Sequence, residues 1–88
     1  MHPDDLRLLR ELRDVKKGSK VFKQRPDQSC DEFELDVLRL LDLRARDLIT
    51  MSPEPFRSSR GDGRYQATGE CRLTLQGREA LARHSDAP

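Results

Sequence analysis

Residues Ser29 to Ile49 read S-C-D-E-F-E-L-D-V-L-R-L-L-D-L-R-A-R-D-L-I, which predicts a capped amphipathic helix running straight into a strand. At 100° per residue from Val37, the side chains of Phe33, Val37, Leu38, Leu40, Leu41 and Ala45 fall within about 160° of arc. That is a broad apolar face, enough for the core helix of a small domain. Ser29 and Glu32 have the Ser-x-x-Glu spacing of a capping box. The Ser29 hydroxyl accepts from the Glu32 amide, and the Glu32 carboxylate reaches back to the Ser29 amide. Asp31 and Glu32 also place negative charge at the positive end of the helix dipole.

On the N-terminal side, Pro3 to Lys17 predicts a first helix. Proline suits the first helical position, Asp4 and Asp5 complement the dipole, and Lys16-Lys17-Gly18 is a C-terminal signature. Leu8, Leu9, Leu12 and Val15 form its apolar stripe. A helix with so few core residues is marginal alone and must pack on the central one. Between the two, Lys20–Lys23 predicts a short extended segment and Arg25–Gln28 a turn.

On the C-terminal side, Leu48-Ile49-Thr50-Met51 is a β-type run stopped by Pro53 and Pro55, residues that a central strand cannot hold. Gly61, Gly63 and Gly69 are turn signals, and Arg64–Ala67 and Glu70–Leu75 can be extended. Cys71, Leu73 and Leu75 alternate with Arg72 and Thr74, one face in and one face out. Strand, polar loop and returning strand make a hairpin with a long arginine-rich tip. Thr74 caps a last helix over Leu75–His84, with Leu81 and an alanine neighbour inward, and Ser85–Pro88 fray.

The chain has 88 residues, 34% of them apolar and 38% charged, which predicts one small domain over residues 1–84. The formal net charge of +1 hides an uneven distribution: +3 over residues 1–29, −3 over 30–47 and +1 over 48–88. A strongly basic nucleic-acid binder has a different balance, although local patches remain. No apolar run approaches the roughly 20 residues of a membrane span. The opening M-H-P-D-D-L lacks the order of a secretory signal, and the two cysteines lie far apart, so a cytoplasmic location is expected.

The order of elements resembles the winged helix-turn-helix fold of small bacterial and phage transcription regulators. The resemblance runs from Asp31 to Arg83. It rests on Leu48-Ile49 at the start of the first wing strand and on Leu73-Thr74-Leu75-Gln76-Gly77-Arg78-Glu79-Ala80-Leu81 at the end of the second. It implies an α+β domain with two main helices, a β-hairpin wing and a short C-terminal helix, and a DNA-binding, transcription-regulatory role. The chain departs from the family at three points. Arg25-Pro26-Asp27 interrupts it where the first of two helices before the wing belongs. The helix in the reading position carries six carboxylates, which DNA phosphates repel. Asp47 stands where a glycine usually precedes the Leu-Ile pair.

DNA contacts are therefore expected from two basic segments and not from the acidic helix. Lys16, Lys17, Lys20, Lys23 and Arg25 fall within ten residues that hold no acid, and Arg57, Arg60 and Arg64 surround the wing tip. Phosphate tracking is their functional reading, and a solvated connector and loop the plain one. Leu35, Arg39, Leu43 and Arg46 lie on the back of the central helix, where they either cover a neighbouring helix or form a protein-partner or homodimer surface. Cys71 reads as a small core residue, and Cys30 at the first helical position as a thiol open to dipole activation. With no Cys-x-x-Cys, no paired histidines, no glycine-rich phosphate loop and no catalytic constellation, neither an enzyme nor a metal or other cofactor is expected.

Overall fold

The computed structural model describes residues 1–57 and 64–85. It is a small α+β fold whose described residues form three helices and a four-stranded antiparallel sheet. The elements are α1 (Pro3–Asp14), β1 (Lys20–Lys23), α2 (Cys30–Ala45), β2 (Ile49–Ser52), β3 (Phe56–Arg57), β4 (Tyr65–Leu73) and α3 (Leu75–Ser85). Strand β4 is central: β1 pairs along one side of it, and β2 and then β3 along the other. The expected fraying tail from Ser85 to Pro88 falls largely outside the described residues.

Local chemistry explains the helix ends. His2 caps α1 through Nδ1, which accepts from the Asp4 amide at 3.1 Å. The Ser29 hydroxyl accepts from the Glu32 amide at 3.1 Å, the first half of the capping box. Helix α1 stops at Asp14, a turn short of the expected Lys17. Val15 turns extended, and the Gly18 amide, at φ 75°, donates to the Val15 carbonyl at 3.3 Å. That turn sends the chain back so that β1 can pair with β4.

Helix α2 ends in a Schellman motif. The Leu48 amide donates to the Leu43 carbonyl and the Asp47 amide to Arg44, both at 3.0 Å, with Asp47 at φ 61°. The C-terminal junction is sewn to this one. Thr74 Oγ1 accepts from the Gly77 amide at 3.0 Å and donates to the Asp47 carbonyl at 2.6 Å, while the Thr74 amide donates to Leu48 at 3.2 Å. A Cβ at Gly77 would run into the Leu48 carbonyl oxygen. Helix α3 begins at Leu75 as expected and runs one residue past the expected His84.

Strand β4 runs unbroken through Gly69, which was expected to turn. Glycine is needed there because a Cβ would collide with the Pro53 backbone. Strand β3, within the expected hairpin loop, continues the β2 side of the sheet. Ile49, Met51 and Cys71 lie on the buried face, and Thr50, Ser52, Glu70 and Arg72 are exposed. At the irregularity between Val21 and Lys23, the Phe22 amide donates to the buried Thr68 hydroxyl at 2.9 Å.

The core joins Leu8, Leu9 and Leu12 of α1 to Phe33, Val37, Leu40 and Leu43 of α2, with Ile49, Cys71, Ala80 and Leu81 beneath. Helix α2 is thus rotated about 80° from the face that periodicity picked out, at 100° per residue. Leu43, expected on the back of the helix, is 0% exposed, whereas Leu38, expected inside, is 51% exposed. The rotation follows from where α1 packs. Arg7 of α1 pairs with Asp36 at 2.7 Å, and Asp5 meets Arg39 at 3.6 Å and Arg46 at 3.4 Å. These contacts bring the Leu43 side of α2 against α1 and turn the Leu38 side to solvent.

Candidate functional site

The basic residues do not gather into one patch. Lys16 and Lys17 lie in the turn after α1, beyond the Lys20 end of β1, while Lys23 is at the other end. Lys20 lies 3.8 Å from Glu11 and 5.0 Å from the centre of the Phe22 ring. Arg25 faces Asp27 at 3.7 Å. Lys16, Lys17 and Lys23 are exposed and make no ion pair among the described residues.

On the hairpin, Arg57 donates to the Tyr65 hydroxyl at 2.8 Å and its guanidinium sits 4.2 Å from the ring centre. Lys23 and Phe56 both pair with Ala67 from opposite sides, so Lys23 and the Arg57 strand are about 10 Å apart at one end of the sheet. Arg64 turns towards α2 and pairs with Asp31 at 2.7 Å and Glu34 at 3.9 Å. The hydrogen bond to Asp31 raises the Arg64 pKa. Arg60 lies outside the described residues.

Of the four residues expected to meet a partner, Leu43 is corrected: it is a core residue and touches no solvent. Arg39 and Arg46 cross-link α2 to α1 through Asp4 and Asp5, and Arg46 also pairs with Asp42 at 3.1 Å. Leu35 is 57% exposed.

The residue that sequence reasoning missed is Leu38. It stands beside Leu35, and with Asp31 and Glu34 the two leucines line a shallow groove of about 320 Å³. The spacing Asp31, Leu35, Leu38, Asp42 follows one line along α2, apolar in the middle and acidic at each end. That four- and three-residue rhythm is present in the sequence. Periodicity instead assigns Leu38 to the core face with Phe33, Val37, Leu40, Leu41 and Ala45, because a leucine-rich helix offers more than one apolar arc.

Burial pushes the Cys71 thiol up, opposed by its contact with Thr68 and by Arg44. Cys30 is exposed, with its sulfur 3.6 Å from Gln24 Oε1. Among the described residues, no group of three histidine, cysteine or acidic side chains is placed to hold a metal ion, and no helix is long and apolar enough to cross a membrane. Comparison with protein-family models, with curated protein sequences and with solved structures gives no significant match.

Proposed function

We propose that the chain is a non-enzymatic, winged-helix-like regulatory module that docks a protein partner on the outward line of α2. Two features support the winged-helix reading. The elements follow the order helix, short strand, helix, strand, hairpin, helix. The two sequence pieces that carry the resemblance also meet in space through Asp47, Leu48, Thr74 and Gly77. The observation that carries the functional reading is the exposed Leu35–Leu38 pair set between carboxylates on the helix that would otherwise meet DNA.

A groove lined by two leucines and two acids suits a basic amphipathic helix, whose apolar side chains cover the leucines while its lysines or arginines share Asp31 and Glu34 with Arg64, an exposed and correspondingly weak pair. A second copy of the same face fits less well. Laid in either direction, it sets Asp31 against the Asp31 or Asp42 of its neighbour. The two unbridged cysteines are in keeping with a reducing compartment such as the cytoplasm.

The test is an amide-resolved NMR titration with a lysine-flanked, leucine-bearing helical peptide. The expected result is a set of shifts confined to Asp31–Asp42 and the Arg64 region, lost in Leu35→Ser/Leu38→Ser. Shifts elsewhere, or an unchanged affinity in the double variant, would overturn the reading. Concentration-dependent self-association through the same residues would assign the face to a homodimer instead.

A second reading, phosphate tracking along duplex DNA, rests on Lys23 and Arg57 flanking β4 at one end of the sheet. It lacks a continuous footprint, because Lys20, Arg25 and Arg64 each face a carboxylate of this chain.

A further inference from the structure

Between α1, β1 and the start of α2 lies a cleft of about 320 Å³, separate from the outward line of α2. Phe22 and Phe33, both buried, are its apolar residues beside Val21 and Pro26. Arg7, Lys20, Lys23 and Arg25 line it, against the two carboxylates of Glu11 and Asp36. Those two acids are already engaged: Asp36 by Arg7 at 2.7 Å, and Glu11 by Arg7 at 3.7 Å and Lys20 at 3.8 Å. The surplus positive charge therefore belongs to Lys23 and Arg25. Lys23 makes no ion pair among the described residues, and the Arg25–Asp27 pair is exposed on both sides and correspondingly weak.

The cleft is held in shape by a buried amide. Gln28 is 7% exposed, donates to Asp36 at 2.9 Å and accepts from the Arg25 amide at 3.3 Å. Its own backbone amide donates to the Arg25 carbonyl at 3.0 Å, and its carbonyl accepts from Gln24 at 2.8 Å. The turn that presents Arg25 is thus fixed before anything binds, which lowers the ordering cost of binding.

We infer that this cleft binds a small organic anion with an apolar body, of the class of aromatic or branched aliphatic carboxylates. The body lies against Val21 and Pro26, over the floor formed by the buried Phe22 and Phe33, and the carboxylate faces Lys23 and Arg25. A few convergent charged groups over an apolar wall, at the low end of ligand-pocket volumes, are what such a ligand needs. Unlike a nucleic-acid strand, which requires a run of cations along an open surface, it needs only one anionic end recognised.

The experiment is an amide-resolved NMR titration of the whole chain with 1-naphthoate. Its neutral isostere 1-naphthamide is titrated in parallel, and both are repeated on Lys23→Gln/Arg25→Gln. These side chains are exposed, so the variant is expected to keep its dispersed spectrum. The inference predicts shifts confined to Lys20–Gln28, Phe33 and Asp36. It also predicts that naphthoate binds at least about fivefold more tightly than naphthamide, a preference that disappears in the double variant. It is overturned by equal affinity for acid and amide, by a preference that survives the double variant, by scattered shifts, or by none at about 10 mM. Phe33 and Asp36 fall within the span read for peptide docking. The two are therefore told apart at Lys20–Gln28, which only cleft binding moves, and at Leu35, Leu38 and Asp42, which only the peptide moves; either idea can fail alone.

Discussion

Asp47 adopts φ 61°, a conformation that costs an L side chain something and a glycine almost nothing, and it does so to close the α2 cap. Asp47→Gly should therefore raise stability by roughly 0.5 kcal/mol, relief of the left-handed strain outweighing the larger unfolded-state entropy. Gly77→Ala is its counterpart. The added methyl meets the Leu48 carbonyl, and the variant should lose on the order of 2 kcal/mol or more in urea unfolding, as backbone clashes in a packed junction do. A neutral Gly77→Ala would mean that the junction is looser than described. Cys71 makes a third point at this scale. Because burial raises its pKa, the unfolded thiol ionises first as pH passes about 8.5, and the native state loses stability from there upwards. Cys71→Ala should show a smaller fall in urea midpoint between pH 8 and pH 10 than the parent chain.

Helix α2 carries two leucine stripes, and which one is buried decides what the molecule can offer a partner. Leu43→Ala should cost about 2–4 kcal/mol, as for a fully buried leucine, whereas Leu38→Ala should cost less than about 0.5 kcal/mol. The reverse ranking in chemical denaturation would restore the face that simple periodicity selects. Much of this helix was legible in the sequence. Ser29 and Glu32 marked its start, and Pro53 marked the end of the strand that follows. Its rotation was not. With Leu35, Leu38, Leu40, Leu41 and Leu43 on one helix, the wheel offers two overlapping apolar arcs, and the choice between them is made by the packing of α1 and the sheet on α2, alongside the ion pairs from Asp5 and Arg7. Strand β1 was legible to the residue, because Val21-Phe22 stands alone among lysines. Gly69 misled, since glycine marks close backbone approach as readily as a turn.

At the scale of the whole molecule, charge is organised inward as much as outward. Arginines that composition alone would hand to DNA are bound to this chain's own acids: Arg7 to Asp36, Arg39 and Arg46 to Asp5, Arg44 to Glu54, Arg64 to Asp31. A list of cations cannot disclose such pairing, because it depends on which helix faces lie against each other. The outward α2 face is left apolar and acidic, and the exposed lysines are left in separate places. Fluorescence anisotropy with random-sequence duplex DNA across a salt series, with Lys23→Ala/Arg57→Ala alongside, tests this most directly. The account predicts no saturable binding at micromolar protein even at low salt, where phosphate attraction is strongest. Micromolar binding that falls steeply with salt and weakens in the double variant would contradict it and return the hairpin to the DNA backbone.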